Sequence, residues 1–322
     1  MFDVIRIPLA IVLAAAAFVG LAPAGSEAQA TTTTGAGQGS RLTLVTPAMT
    51  VTSAAATHQL VQTLDQMVAR SPMTLTASVQ QLVAASGASV GVTLIELGAA
   101  APLTWAYQGD EVFTAASTYK LGALMMEAQN IASGTSDPHG LVCYQESDYE
   151  DGWYDDYEDG ACFTRTELAQ RAGLMSDNTA GHMLVRDVGG AGALNTWAAS
   201  LGATDSDFFN ANSTSAHDLA FLWAAEANGR LGGAAAQQWL YPVLTGSRTE
   251  SGIPAGVAGR SPVEHKTGTI DLVENDAALV VSGPNGAYVL TIMTDGLGGA
   301  EGWQLIASIS SAVWSYEAAR AA

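Results

Sequence analysis

Basic residues are scarce in this 322-residue chain, and their scarcity excludes several classes of partner. The chain has 12 lysines and arginines against 31 aspartates and glutamates, which gives a formal net charge of −19 and a sequence pI of about 4.3. Binding to nucleic acid depends on clustered positive charge, and so does docking on an anionic membrane. We therefore expect neither nucleic acid nor an anionic membrane surface as a partner.

Lysine is the rarest of the charged residues. Lys120 and Lys266 are the only two in the chain, and the other ten basic residues are arginines. Arginine stays protonated in proteins, whereas a buried lysine readily loses its proton and can then act as a base. A compositional preference for arginine explains why lysines are few, but it does not explain where these two lie.

Cysteine is equally rare, with Cys143 and Cys162 as the only pair. In an oxidising compartment the two are expected to form a disulfide. They bracket residues 144–161, which contain eight carboxylates, five large aromatic side chains and no basic residue. Calcium binding is one interpretation of this acidic loop, but the spacing does not match an EF-hand. We favour a solvated surface loop closed by the disulfide, and we expect no metal and no cofactor.

The first 30 residues have the features of an export signal. Arg6 precedes an apolar run, and Ala28-Gln29-Ala30 has the small residues of a cleavage site. No cysteine lies near that site, so we expect no lipid anchor and no stable membrane anchor after cleavage. We expect a secreted or otherwise extracytoplasmic monomer. Residues 31–72 are predicted to be a linker, flexible over 31–56, followed by an N-terminal helix.

Hydrophobic periodicity over residues 73–322 predicts an α+β domain. It predicts an antiparallel sheet of about five strands, flanked by helices and joined to a helical subdomain. The expected strands are 89–97, 103–113, 262–270, 275–282 and 287–294. The expected helices are 75–85, 117–132, 164–175, 179–188, 193–201, 213–227, 233–245 and 300–319.

Both lysines lie in short motifs that suit acyl transfer. Ser117 and Lys120 are three residues apart at the predicted start of a helix, so the hydroxyl and the amine can meet on one face. A neutral lysine can take the proton of a serine and make it nucleophilic. Lys266-Thr267-Gly268 lies on a predicted strand, with Thr269 after it. The alternative for Lys266 is an exposed lysine on an edge strand.

A third motif, Ser176-Asp177-Asn178, falls at a break between two predicted helices. Taken alone it is equally typical of a helix cap. Together and in this order, the three motifs resemble those of the penicillin-recognising serine enzymes, most closely the class A β-lactamases. The resemblance covers most of residues 73–322, and it implies a β-lactamase/transpeptidase-like fold.

The resemblance also implies a role for each motif residue. Ser117 would be acylated, Lys120 would be its base or part of its proton relay, and Ser176 would pass a proton to the leaving nitrogen. The other implied substrate-binding positions are Asn178, Lys266, Thr267, Gly268 and Thr269. Thr267 and Lys266 would face a substrate carboxylate, and the N–H groups of Ser117 and Thr269 would form the oxyanion hole.

The sequence lacks two features of the family pattern. One serves deacylation, and the other binds the substrate carboxylate. The family's Glu-x-x-Leu-Asn loop is missing, since no glutamate occurs between Glu167 and Glu226. Asp205 or Asp207 is the candidate substitute. The strand arginine that many members aim at the substrate carboxylate is also missing, which leaves Arg248 or Arg260 as candidates.

The sequence therefore predicts an exported serine hydrolase that acts on a β-lactam or a related amide or ester, with slow deacylation. A D-alanyl-D-alanine carboxypeptidase-like enzyme that acts on peptidoglycan stem peptides stays open, and so does a non-catalytic β-lactam or cell-wall binding protein. Two histidines have other predicted roles: His182 as a packed or capping residue, and His265 as a residue that tunes the pocket around Lys266.

Overall fold

The structure is a computed structural model that describes residues 51–99, 101–259 and 261–321. The predicted signal peptide and the linker up to residue 50 lie outside the described residues. The helices are α1 (Val51–Ala69), α2 (Pro72–Ser86), α3 (Tyr119–Ala132), α4 (Arg165–Leu174), α5 (Asn178–Asp187), α6 (Gly190–Ser200), α7 (Ala216–Ala227), α8 (Gly233–Leu240), α9 (Ile253–Gly256) and α10 (Gly299–Ala321). The strands are β1 (Ser89–Glu96), β2 (Thr104–Tyr107), β3 (Val112–Thr114), β4 (Leu141–Cys143), β5 (Cys162–Thr164), β6 (Ser213–Ser215), β7 (Val263–Ile270), β8 (Val273–Gly283) and β9 (Gly286–Asp295).

Five of these strands form one antiparallel sheet in the order β2-β1-β9-β8-β7. The early strands β1 and β2 join the late strands through the β1–β9 pair, so the helical residues between them form one long insertion. This arrangement confirms the predicted α+β fold. It also leaves β7, which carries Lys266, at the edge of the sheet.

The two faces of the sheet are covered by separate hydrophobic cores. On one face, Leu75 and Val79 of α2 and Ile306 and Ile309 of α10 pack against β1, β8 and β9. The other core joins the sheet to the helical subdomain, and α3 runs through its interior. Most of α3 is buried, including Lys120 in its first turn. Because α3 is enclosed, the side chains of its first turn are held in fixed positions.

The structure corrects several of the predicted boundaries. Residues 51–56, predicted as linker, belong to α1. The predicted strand over 103–113 is two strands, because Gln108 takes a left-handed φ of 47° that turns the chain after β2. The second piece, β3, leaves the main sheet and pairs with β6, which occupies the start of the helix predicted over 213–227.

The cysteines close a hairpin that the pattern did not predict. Cys143 and Cys162 form a disulfide and are opposite each other in the register of β4 and β5. The acidic loop is therefore fixed at both ends. None of the described helices is both long enough and apolar enough to cross a bilayer.

We predict that the disulfide contributes measurably to stability. The double replacement Cys143→Ser/Cys162→Ser is expected to lower the free energy of unfolding by about 3 kcal/mol, because the open chain gains conformational entropy when unfolded. Urea denaturation of the two proteins measures the difference, with reduced wild-type protein as the control that should match the variant. An unchanged unfolding midpoint would contradict this expectation.

Candidate active site

The candidate nucleophile lies in a tight turn just before α3. Ser117 is in the 3₁₀ turn Ala116–Thr118, and Ala116 adopts a left-handed φ of 48°. Such backbone strain in a residue other than glycine is common at functional turns, where the surrounding structure holds it in place. Nζ of Lys120 lies 2.9 Å from Oγ of Ser117, so the structure brings together the two groups that the motif spacing predicts.

Lys120 is buried and has no direct ion pair among the described residues. Its amine donates instead to the backbone carbonyl of Ser176 and to Oδ1 of Asn178, each at 2.7 Å. Burial lowers the pKa of Lys120 from 10.5 to about 7, although the nearby carboxylates of Asp177 and Glu150 act to raise it. A large fraction of this amine is therefore neutral at neutral pH and able to take a proton.

The space that Lys120 occupies depends on a glycine in α5. A Cβ atom at Gly181 would lie 2.6 Å from Cε of Lys120 and 2.9 Å from Oη of Tyr119. Neither distance is compatible with normal packing. Gly181 therefore leaves room for the lysine side chain.

The Ser-Asp-Asn motif is a helix cap and also part of the site. Asp177 caps α5, since its Oδ1 accepts from the backbone N–H of Ala180 at 2.9 Å. Ser176 has a left-handed φ of 58°, and its neighbour Asn178 contacts Lys120. Asp177 is therefore the helix cap, whereas Asn178 is part of the site.

Lys266 approaches the site from β7. It is only 1% exposed, so the alternative of an exposed edge-strand lysine is wrong. Its Nζ donates to Oγ of Ser176 at 2.9 Å and to the carbonyl of Thr267 at 2.8 Å. Burial and the proximity of Lys120 hold the pKa of Lys266 well below its usual value. Ser176 thus links the two lysines, with its carbonyl on one and its hydroxyl on the other.

Gly268 allows β7 to approach the nucleophile closely. A Cβ atom at this position would lie 2.7 Å from the carbonyl oxygen of Ala115 and 3.1 Å from the backbone nitrogen of Ser117. The strand and the turn are therefore in direct contact at the place where the resemblance implies the oxyanion hole.

A cavity of about 520 Å³ opens in front of these groups. Five of the predicted site residues line it: Ser117, Ser176, Asn178, Thr267 and Thr269. Its rim includes Arg248, whose guanidinium lies 3.4 Å from the ring centroid of Trp153. Arg248 is thus the one of the two candidate anchor arginines that the structure brings to the cavity, while Arg260 lies outside the described residues.

The acidic loop is largely exposed and closed by the disulfide, as predicted, but it also packs against the site. Oδ2 of Asp177 accepts from the backbone N–H of Trp153 at 3.0 Å, and Oδ1 accepts from Oη of Tyr157 at 2.6 Å. Asn178 donates to Oε1 of Glu150 at 3.0 Å and to the carbonyl of Asp151 at 3.1 Å. The loop therefore packs directly on the Ser-Asp-Asn motif.

Three carboxylates of the loop bind basic side chains of the helical subdomain. Asp156 pairs with Arg171 at 2.6 Å, and Asp148 pairs with Arg186 at 2.8 Å. Glu150 pairs with Nε2 of His182 at 2.8 Å. Among the described residues, no group of three or more His, Cys, Asp or Glu side chains is arranged to hold a metal ion. The negative charge of the loop serves instead to fasten it to the helices.

These motifs and this fold agree with the comparisons to known proteins. A family described as the β-lactamase enzyme family matches residues 74–316 of the chain. The chain belongs to the β-lactamase enzyme family. No curated protein sequence matches it.

Solved structures of the β-lactamase family and its neighbours resemble this chain throughout the described domain. PBP-A is 26% identical, with a TM-score of 0.67 over 74% of this chain and 95% of that chain. A β-lactamase from Sphaerobacter thermophilus is 25% identical, with a TM-score of 0.67 over 76% of this chain and 96% of that chain. An ancestral class A β-lactamase at 23% identity and a TM-score of 0.67, over 74% of this chain and 98% of that chain, shows the shared fold.

The two aspartates that are candidates to replace the family glutamate do not contribute to the cavities of this β-lactamase family member. Asp207 accepts from Nδ2 of Asn195 at 2.9 Å, and Asp205 is exposed. Neither side chain lines a cavity that Ser117 lines. The short loop instead presents Phe209, whose ring packs edge-on against Tyr119 and His182.

Two residues near Ser117 were not predicted to belong to the site. Glu150 and His182 line a second cavity, of about 450 Å³, which Ser117 and Asn178 also line. His182 was predicted to pack or cap, and it does pack on Phe209, but it also faces this cavity. Its position four residues after Asn178 places both on one face of α5, and that spacing was the available signal.

His265 lies behind Lys266 in a buried cluster of charged residues. Its Nδ1 is 2.9 Å from Oδ1 of Asp276, and its Nε2 is 3.1 Å from Oε1 of Glu250. Burial acts to lower the pKa of His265, but the two carboxylates outweigh it and raise the pKa to about 9. His265 is therefore an imidazolium at neutral pH that ties β7 to β8 and to the segment before α9.

We predict that this cluster makes stability depend on pH. The folded-state pKa is raised, so the stabilisation is fully present below about pH 6.5 and is lost as pH rises through about 9. A shift of this size corresponds to about 3 kcal/mol. The measurement compares urea denaturation of wild type and His265→Gln at acidic and alkaline pH. The difference in unfolding free energy should shrink at alkaline pH, and a constant difference would count against the ion cluster.

Proposed function

We propose that this chain is an exported serine hydrolase that forms an acyl-enzyme at Ser117 with β-lactams or related amides and esters, and deacylates slowly. The observation that carries the proposal is the buried amine of Lys120, 2.9 Å from Oγ of Ser117 and with its pKa lowered to about 7. A base must be close to the proton it takes and must be neutral when it acts. Lys120 meets both requirements.

The remaining steps are assigned to groups that line or adjoin the cavity. As Oγ of Ser117 attacks the carbonyl carbon, Lys120 takes its proton, and the developing oxyanion is held by the N–H groups of Ser117 and Thr269. Ser176, in contact with both lysines, passes a proton to the leaving nitrogen. Asn178 holds the substrate amide, and Thr267 and Arg248 bind its carboxylate.

Support for β-lactam substrates comes from family membership and from one neighbour. A variant of PBP-A has been solved as an acyl-enzyme complex with penicillin G, at 26% identity to this chain and a TM-score of 0.67. Export is proposed from the N-terminal sequence pattern alone.

A carboxypeptidase-like activity on D-alanyl-D-alanine peptides is the second candidate. The missing glutamate of the class A pattern favours it, because carboxypeptidases of this kind deacylate without that glutamate. Phe209 lines the cavity next to Ser117 and supplies no proton acceptor there. Release of D-alanine from a stem-peptide analogue distinguishes this activity from β-lactam hydrolysis. A non-catalytic binder would hydrolyse neither substrate beyond one equivalent.

We expect a fluorescent penicillin to label Ser117 and the Lys120→Arg variant to lose this labelling. Arginine keeps the positive charge but cannot accept a proton, so acylation should fall by roughly 10²–10⁴-fold. Mass spectrometry of the adduct gives its site, and a time course gives its rate. In wild type the rate should rise with pH through about 7 as Lys120 becomes neutral.

Arg230→Lys is the matched control, because it exchanges the same two residue types at an exposed position. It should label as fast as wild type. Undiminished labelling of Lys120→Arg would remove the amine from its proposed role as base. Absence of any adduct on folded wild-type protein would remove the acyl-enzyme proposal itself.

Slow deacylation predicts a kinetic burst. Without the family glutamate, hydrolysis of the acyl-enzyme should be slower by roughly 10²–10⁴-fold than with an efficient general base. Stopped-flow measurement with nitrocefin should therefore show one equivalent of rapid product and then a slow phase. Rapid linear turnover without a burst would mean that deacylation is as well catalysed as acylation.

A further inference from the structure

The cavity of about 450 Å³ beside Ser117 contains a carboxylate to which neither the motifs nor the resemblance gives a role. Glu150, from the acidic loop, lines this cavity together with Ser117. Oε2 of Glu150 lies 2.8 Å from Nε2 of His182, and Oε1 accepts from Nδ2 of Asn178 at 3.0 Å. Each oxygen of the carboxylate thus has a close polar neighbour, Asn178 on one side and His182 on the other.

The same carboxylate is linked to the nucleophile through a short chain of hydrogen bonds. Asn178 donates to Glu150 and accepts from Lys120 at 2.7 Å, and Lys120 lies 2.9 Å from Oγ of Ser117. Glu150 is thus separated from the reacting serine by two side chains. Asp205 and Asp207 have no such connection among the described hydrogen bonds.

The cavity also has room for a water molecule next to Ser117. Its volume is about 450 Å³, and Glu150 is the one acidic residue among the described residues that line it. A bound water needs polar partners as well as room. Ser117, Asn178 and Glu150 supply polar side chains around this cavity.

We propose that Glu150 is the general base that activates the deacylating water in this cavity, with His182 as its positioning residue. This inference rests on the proposed acyl-enzyme at Ser117. Glu150 takes a proton from the water as the water oxygen bonds to the ester carbon. In the acyl-enzyme, Lys120 first takes up one proton from solvent. The oxyanion then collapses, the bond from that carbon to Oγ of Ser117 breaks, and Lys120 gives this proton to Oγ and is neutral again, as the next acylation requires. Glu150 releases the proton of the water to solvent, so one proton is taken up and one is released.

This assignment is consistent with slow rather than absent turnover. Glu150 lies on a loop, and its side chain is 51% exposed. A carboxylate on an exposed loop is positioned less precisely than one on a rigid element, so Glu150 supports hydrolysis less effectively than a buried glutamate dedicated to this step.

The test separates the rate of acylation from the rate of deacylation in the full-length mature protein. Wild type, Glu150→Gln, Glu150→Ala and the control Asp155→Asn are labelled with a fluorescent penicillin. Free penicillin is removed, and loss of the Ser117 adduct is followed by mass spectrometry. Asp155 is a suitable control because it is an exposed carboxylate of the same loop that does not line either cavity next to Ser117.

We expect Asp155→Asn to acylate like wild type, and both Glu150 variants to lose far more rate in deacylation than in acylation, because the proposed role of Glu150 is in the later step. Adduct decay should be slower by about tenfold or more in both Glu150 variants and unchanged in Asp155→Asn. Added formate should speed decay in Glu150→Ala alone, since a small carboxylate can occupy the vacated space. That rescue is a response that a merely structural role would not produce.

Different failures have different meanings. Adduct decay at the wild-type rate in Glu150→Gln would overturn the inference and leave the proposed function standing. An equal loss of acylation and deacylation, without formate rescue, would also overturn it, because Glu150 would then act only by holding Asn178. No adduct on wild-type protein would overturn the proposed function and this inference with it.

Discussion

The arrangement of the site depends on two lysine amines that are buried close to each other. Lys120 and Lys266 are both almost fully enclosed, and Ser176 contacts each of them. Keeping two ammonium groups in such a place is unfavourable, and the lowered pKa values are the response. The burial that makes the charge costly is thus what makes Lys120 a usable base. Gly181 and Gly268 serve this arrangement, because side chains there would displace the lysine or the strand.

The acidic loop supplies two of the hydrogen-bond donors to Asp177, a buried carboxylate near Lys120. Asp177 is buried next to the lysines, and a direct ion pair with it would raise the pKa of Lys120 and keep the amine protonated. Its two oxygens are instead occupied by Ala180, Trp153 and Tyr157. Two of those three donors come from the loop that the disulfide closes. Through Asp177 the loop therefore influences the pKa of Lys120 without contacting the lysine directly.

The parts of the site that could be predicted from sequence are those in which spacing fixes geometry. Ser117 and Lys120 lie three residues apart on one turn, so their contact follows from the local structure alone. The position of Glu150 does not, because the loop has no periodic pattern and its path is set by tertiary contacts with Asp177, Thr179 and His182. The sheet and most helices were predictable from periodicity, whereas β3 to β6 were too short to produce a pattern.

The short loop that carries Phe209 offers no base for deacylation, so such a base has to come from another part of the site. Phe209 packs on Tyr119 and His182 and brings no proton acceptor to the cavity. The carboxylate that remains there is Glu150, and Asn178 joins it to Lys120. In this arrangement the base proposed for acylation comes from the rigid helix α3, while the base proposed for deacylation comes from a loop. Because a loop positions a carboxylate less precisely than a helix does, the two steps are expected to differ in rate even though they share one hydrogen-bond network.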